Sequence, residues 1–248
     1  MKVRVATLNL LFDDWLRWPR LNLVIDEIKS LKPSVILLQE VSLKAGVAER
    51  LARELPEFNI SLCPRTGKSA NLAQAILSRK KPLATDWLEL SQQRVAQKVM
   101  LEFGGHKICF INVHAHFSLL RDKPRATQIR QILRFADSPA IIAGDFNALP
   151  GATSLQPLEK RFASAYKKVH GSEPAMTGPS PLWRGPGLRQ GVRRAALKFY
   201  SGGTLDYIFV EKSLRVTDCQ LAFNKASPLN PVLYPSDHFG LVADIFCP

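Results

Sequence analysis

The chain has 248 residues, 46% apolar and 22% charged, which is the balance of a folded protein and excludes disorder as the main state. No apolar run approaches the roughly 20 residues of a membrane span, and Met1 to Leu10 alternates like a strand instead of forming a leader. A cytoplasmic location without stable membrane insertion is the expectation. Cys63, Cys109, Cys219 and Cys247 form no CxxC pair, which predicts buried free thiols in place of zinc sites or disulfides. The net charge of +13 favours a polyanionic partner through attraction and counterion release. Residues 151–200 alone carry nine basic side chains against two acidic ones.

In chain order, residues 3–10 alternate as a strand, 21–31 place apolar residues at helical spacing, and 34–41 form an apolar run closed by a glutamate. A second helix is predicted around Val47, Leu51 and Leu55. Strands follow at 58–62, 72–77, 95–103 and 107–114. A helix over 124–135, with proline in its first turn, precedes the apolar run 140–146. Residues 150–203 are rich in Pro, Gly and Ser and read as long surface loops with one short helix. Strands return at 205–210, 216–223 and 239–246. No repeat or linker marks a boundary, so one domain over residues 1–248 is expected, and the mixture of hairpins and strand–helix crossovers predicts a layered α/β sandwich with mixed sheets.

Six of the apolar runs carry polar residues at one end. Asn9 closes VRVATLN, Glu40 closes VILLQE, His114 closes ICFINVH, and Asp145 with Asn147 closes AIIAGDFN; Asp206 opens LDYIFV, and Asp237 and His238 precede FGLVADIF. Any one of these has a local explanation as a turn or cap residue. Taken together, acids flanked by Ile, Leu and Phe need solvation, a partner or a cation, and strand ends in a layered fold meet along one rim. The rim's oxygen-rich inventory, without cysteine, suits Mg²⁺ or Mn²⁺ and not structural zinc. Asp145 and Asn147, two apart on an extended segment, should face the same way, so that one takes the proton of a water that the other orients. Asp206 and Asp237 are candidates to fix the tautomer of His238. Neither GxSxG nor GxxxxGK[ST] occurs, which argues against a serine hydrolase and a Walker loop.

The ordered set TLN, LQEV, NVH, GDFN, LDYIFV and SDH, spread over nearly the whole chain, resembles the endonuclease/exonuclease/phosphatase superfamily. The resemblance implies a four-layer α/β sandwich, deoxyribonuclease I-like, with two packed mixed β-sheets flanked by helices. It also implies a Mg²⁺- or Mn²⁺-dependent hydrolase of phosphoric esters that attacks with an activated water. Carried over position by position, it implies Glu40 as the principal metal ligand, with Asn9 and Asp237 at the metal. Asp145 orients or deprotonates the water with Asn147 as its partner, and His238, oriented by Asp206, stabilises charge on phosphorus. His114 matches the branch with histidine after the central strand, whereas exonuclease III type enzymes carry tyrosine there, a departure that argues against abasic-site cleavage. FDD after Asn9 and the ending SDHFGL resemble the tyrosyl-DNA phosphodiesterase-like branch.

Two segments bear on the substrate. Trp15, Arg17, Trp18 and Arg20 alternate aromatic and cationic groups after the Asn9 strand, and Trp183, Arg184, Arg189, Arg193 and Arg194 lie in the acid-free stretch 174–204. Such groups stack bases and neutralise phosphates; an inward-packed helix start and a solvated basic loop are the plain alternatives. With the net charge they favour nucleic acid, most of all DNA, acted on by a monomeric nuclease or DNA-end-processing enzyme. A phosphatase or phosphodiesterase of phospholipid or inositol phosphate is the alternative reading. His116 is expected to be an exposed histidine past a strand end, and His106 and His170 solvated loop residues.

Overall fold

The computed structural model describes residues 1–118, 122–184 and 202–247. The elements run, in chain order, β1 (Lys2–Asn9), α1 (Arg17–Leu31), β2 (Val35–Ser42), α2 (Val47–Glu54), β3 (Asn59–Pro64), β4 (Leu72–Ser78), β5 (Ala84–Leu90), β6 (Arg94–Phe103) and β7 (His106–His114). There follow α3 (Lys123–Phe135), β8 (Ala140–Asp145), α4 (Gln156–Arg161), β9 (Phe162–Ser164), α5 (Ala165–His170), β10 (Asp206–Glu211), β11 (Arg215–Ala222) and β12 (Gly240–Phe246). They build two six-stranded mixed sheets, ordered β11-β12-β1-β2-β4-β3 and β5-β6-β7-β8-β10-β9.

Period-two patterning dictates the stacking. The inward faces of both sheets, including Val3, Val5 and Leu37 from one and Val99, Phe110, Ile141 and Ile208 from the other, form one apolar layer. The outer face of the first sheet, with Leu8, Ile36 and Leu38, is covered by Leu21, Val24, Ile25 and Ile28 of α1 and Leu51 of α2. The outer face of the second, with Ile111 and Ile142, is covered by Ile129 and Ile132 of α3 and Leu158 of α4. The result is the expected sandwich of helices, sheet, sheet and helices. Toward one rim the layer between the sheets changes from aliphatic to amide. Gln39 Nε2 donates to Asn112 Oδ1 at 2.7 Å, Asn112 Nδ2 donates to the carbonyls of Leu38 and Ala75, and Gln74 Nε2 donates to the Val95 carbonyl. Gln39, Gln74 and Asn112 are fully buried, so these bonds tie the two sheets together where water is absent.

The four cysteines are free and buried as expected. Three expectations are corrected. α1 begins at Arg17, four residues earlier than the apolar spacing suggests. The exposed edge strand β5 (ATDWLEL) escapes periodicity because it lacks a continuous apolar face. Residues 150–203, read as surface loops with one short helix, contain two helices and a strand, α4, β9 and α5, whose short spans leave too few repeats for a periodic signal. His170 accordingly ends α5, stacks on Tyr166 and hydrogen-bonds the Cys219 carbonyl. Among the described residues no helix is long and apolar enough to cross a membrane.

Candidate active site

Register brings the strand-end residues together. In the second sheet β7 pairs in parallel with β8 and β8 antiparallel with β10, placing His114 beside Asp145 and Asp145 beside Asp206 across three adjacent strands. Gly144 permits this approach: a Cβ there would lie 2.0 Å from the Val113 carbonyl oxygen, and its φ of +141° disfavours any side chain. In the first sheet Asn9 ends β1 beside Gln39. Glu40 sits where the β2–β4 register shifts, with φ +59°. A bulge of this kind re-aims a side chain that regular alternation would place elsewhere, and strained backbone is often kept at functional sites.

The side chains from the two sheets meet. Asn9 Nδ2 donates to Asp145 Oδ2 at 3.1 Å. Asp145 Oδ1 accepts the Asn147 backbone N–H at 2.9 Å, and Asn147 Nδ2 reaches Asp145 Oδ2 at 3.2 Å. The two residues therefore converge as expected, but through a turn with Asn147 at φ +49° after the strand has ended, not through extended alternation. His114 Nε2 lies 3.5 Å from Asp145 Oδ2 and 3.9 Å from Glu40 Oε1. The other Glu40 oxygen accepts the Phe12 N–H at 2.9 Å. His238 Nδ1 shares a hydrogen bond of 2.9 Å with Asp206 Oδ2, which also accepts the Thr177 hydroxyl at 2.7 Å.

Burial and charge set the protonation states. Burial pushes the Asp145 carboxyl up to about 7; the positive charge of His238 opposes this and the charge of Asp206 adds to it. Burial works against a charged His238, but the attraction and hydrogen bond of Asp206, with Asp145 and Asp237 beyond, hold its pKa well above the usual histidine value. Burial together with the charges of Arg65, Arg94 and His238 keeps His114 neutral, well below that value.

His238, Asp145 and Asp206 form a group whose ligand atoms lie within 4.8 Å of one another. Its His238–Asp206 hydrogen bond is the geometry of an oriented imidazolium more than of a ligand pair. Glu40, with Oε1 turned toward the His114 and Asp145 side of the rim, and Asp145 with its amide neighbour Asn9 supply oxygen donors only, a set that fits a hard divalent cation. Asp237 is buried, and the Ser236 hydroxyl before it donates to the Asn9 carbonyl at 2.5 Å, tying the segment that carries Asp237 and His238 to the end of β1.

Several residues at the site carried no signal in the sequence. Thr177 and Ser180 are buried, and the Phe239 and Ser180 N–H groups donate to the Thr177 and Asp237 carbonyls, stitching residues 177–180 over His238. Their hydroxyl contacts cross long sequence separations and leave no local pattern. Arg20 is 2% exposed, and its guanidinium donates to the carbonyls of Leu10, Leu11, Asp13 and Trp15. It therefore shapes the loop whose Leu11 and Phe12 N–H groups hold Asn9 and Glu40, and is not a surface cation. The positive charges of Arg65 and Arg94 bear on His114, and Arg65 hydrogen-bonds its ring.

The substrate-binding expectations divide. Arg17 lines a cavity with Glu40 and Phe12 and donates to the Phe12 carbonyl. Trp18 lies on α1, 41% exposed, with the Arg50 guanidinium 5.6 Å above its ring. Trp15 is half-buried against Leu11, Leu182 and Leu233. The backbone of Trp183 and Arg184 forms a 3-10 turn, and Arg189, Arg193 and Arg194 lie outside the described residues. His116 is half-buried, with its backbone N–H on Gln128, and not the exposed residue expected.

Two packed mixed sheets with an acidic, amide-rich rim and an Asp–His pair define a sandwich of the deoxyribonuclease I-like class. Residues 6–238 match the Endonuclease/Exonuclease/phosphatase family, and the chain belongs to that family of phosphoric ester hydrolases. It is 30% identical to nocturnin of Xenopus laevis over 196 residues, 69% of this chain and 45% of that protein. It is 28% identical to nocturnin of Drosophila melanogaster over 184 residues, 63% of this chain and 28% of that one. The chain thus spans less than half the length of these relatives. Among solved structures, the catalytic domain of human nocturnin with a bound sulfate anion superposes with a TM-score of 0.77 at 24% identity, over 99% of this chain and 93% of that one. D. rerio TDP2 complexed with single-strand DNA product gives 0.79 at 16% identity, over 99% of both chains. These likenesses support the fold.

Proposed function

We propose that the chain is a divalent-metal-dependent phosphodiesterase acting on nucleic acid, most of all DNA. The observation that carries this reading is the convergence at one rim of Asn9 and Glu40 from one sheet with His114, Asp145 and the Asp206–His238 pair from the other. Glu40 and Asp145 would hold Mg²⁺ or Mn²⁺, which when bound supplies charge compensation and a more acidic water. Asp145 also orients the attacking water, and the Asn9 and Asn147 amides fix its oxygens. His238, charged and oriented through Nδ1 by Asp206, presents its other nitrogen to the charge that develops on the phosphoryl oxygens.

Two features support nucleic acid over a small ester. The net charge is +13, and a groove of about 730 Å³ is lined by Phe12, Trp15, Arg17, Lys44 and Asn71, rings, cations and an amide that suit bases and phosphates, together with the carboxylates of Asp13 and Asp14, which limit the phosphate contacts to the Arg17 and Lys44 side. D. rerio TDP2, whose fold this chain shares, is known with single-strand DNA product.

The test is hydrolysis of labelled single- and double-stranded DNA, RNA and an inositol phosphate, each with Mg²⁺, Mn²⁺ or EDTA. Oligonucleotide cleavage that EDTA abolishes is expected, and Glu40→Gln should lower it by roughly 10²- to 10⁴-fold through loss of a ligand charge. Undiminished turnover in EDTA overturns the metal assignment, and hydrolysis confined to the inositol phosphate overturns the nucleic-acid assignment.

A further inference from the structure

Two arginines stand behind His114 with no part in the chemistry above. Arg65, just past the end of β3, is 7% exposed, and one of its Nη groups donates to His114 Nδ1. An arginine only donates, so Nδ1 accepts and the ring proton resides on Nε2, the nitrogen turned toward Glu40 and Asp145. Arg94 opens β6 and makes no side-chain hydrogen bond among the described residues; its Nη1 and the Nε of Arg65 are buried without a partner. Burying two neighbouring guanidinium groups with open donors is costly unless an anion offsets them. In the protein alone that offset comes from the charges of Glu40 and Asp145. A cation held by those carboxylates would claim the same negative charge and leave the two arginines uncompensated.

The placement specifies what they take. The His114 ring stands between the Arg65 guanidinium and the carboxylates, so a group held by Arg65 is separate from the one at the metal side. We propose that Arg65 and Arg94 form a second anion subsite, which receives a phosphate group adjacent to the one being hydrolysed. The subsite selects substrates bearing two phosphates in succession, with the planar fork of Arg65 and the open donors of Arg94 closing on the second. This inference rests on the phosphoester-hydrolase reading.

The test compares three dinucleotides with a single scissile phosphodiester: unphosphorylated dithymidine monophosphate, its 5′-phosphorylated form and its 3′-phosphorylated form. In wild type one phosphorylated form should show kcat/KM roughly 10- to 100-fold above the unphosphorylated one, the size expected of one or two charge-assisted contacts, and which form it is gives the polarity. Arg94→Gln, at the half-buried start of a strand, should collapse that ratio toward 1. Arg65→Lys, which keeps the charge and loses the fork, should reduce it in part. A second readout is independent of turnover: calorimetric binding of inorganic pyrophosphate in EDTA should be weakened at least tenfold by Arg94→Gln. Equal handling of all three dinucleotides by wild type, or a ratio unmoved in both variants, overturns the subsite and leaves the arginines as props for His114, with the hydrolase reading intact. If no dinucleotide is cleaved, the nucleic-acid phosphodiesterase reading fails, and pyrophosphate binding that Arg94→Gln does not change then overturns the subsite as well.

Discussion

Asp145 is where the chemistry of single residues is most exposed to measurement. Its folded pKa of about 7 lies above the ordinary aspartate value because burial penalises the carboxylate. Between about pH 4 and 7 the folded state therefore holds a proton that the unfolded state has released, so stability falls as pH rises through that window and stays reduced above it. His238 runs the same way: its raised pKa contributes stability that is fully present below about 6.5 and is lost as pH rises through the folded value. In EDTA, wild type should lose a few kcal/mol between pH 4 and 8, while Asp145→Asn should lose less and become the more stable protein at pH 8. Denaturant melts of both at pH 4, 6 and 8 check this; curves that stay parallel refute the buried-acid account. The same residue shows what a sequence conceals. GDFN announces an acid at a strand end and one amide that bonds it, but the other, that of Asn9, is 136 positions away.

At the scale of elements, the row His114–Asp145–Asp206 depends on three strands keeping their register, and Gly144 is its tightest point. Gly144→Ala would drive a methyl group into the Val113 carbonyl at 2.0 Å, so β7 and β8 must separate. We expect a stability loss of about 2 to 4 kcal/mol and a larger proportional loss of hydrolysis, read by thermal melts alongside rates. Unchanged melting and turnover would show that the strands yield without cost. Elements whose apolar faces repeat were legible, which is why β1, β2, β7, β8 and β10 and their polar ends could be located. β5, α4 and α5 were not, because an exposed edge and six-residue helices repeat too little. The buried segment 177–180 looked like a surface loop because its partners, Asp206, Ser236 and Asp237, lie far along the chain. Arg20 was misplaced for a related reason: a cationic residue at a helix start looks alike whether it faces solvent or a web of carbonyls.

For the whole molecule, the uneven charge predicts how affinity responds to salt. Replacing Arg189, Arg193 and Arg194 together by Gln should flatten the slope of log K against log salt by about 2 to 3 if each meets a phosphate, measured by oligonucleotide binding at several NaCl concentrations. An unchanged slope assigns those residues to solvent. A consequence of a different kind follows from the amide contacts between the sheets. Half of the rim belongs to one sheet and half to the other, so the site exists only at one sliding position of two plates, and the Gln39–Asn112 bond is the detent that marks it. Each plate keeps its own ladder of hydrogen bonds when the detent slips. Warming Gln39→Leu should therefore extinguish hydrolysis several degrees before far-ultraviolet circular dichroism registers any loss of strands, a gap that wild type should lack, so that turnover serves as a gauge of how two intact sheets are aligned.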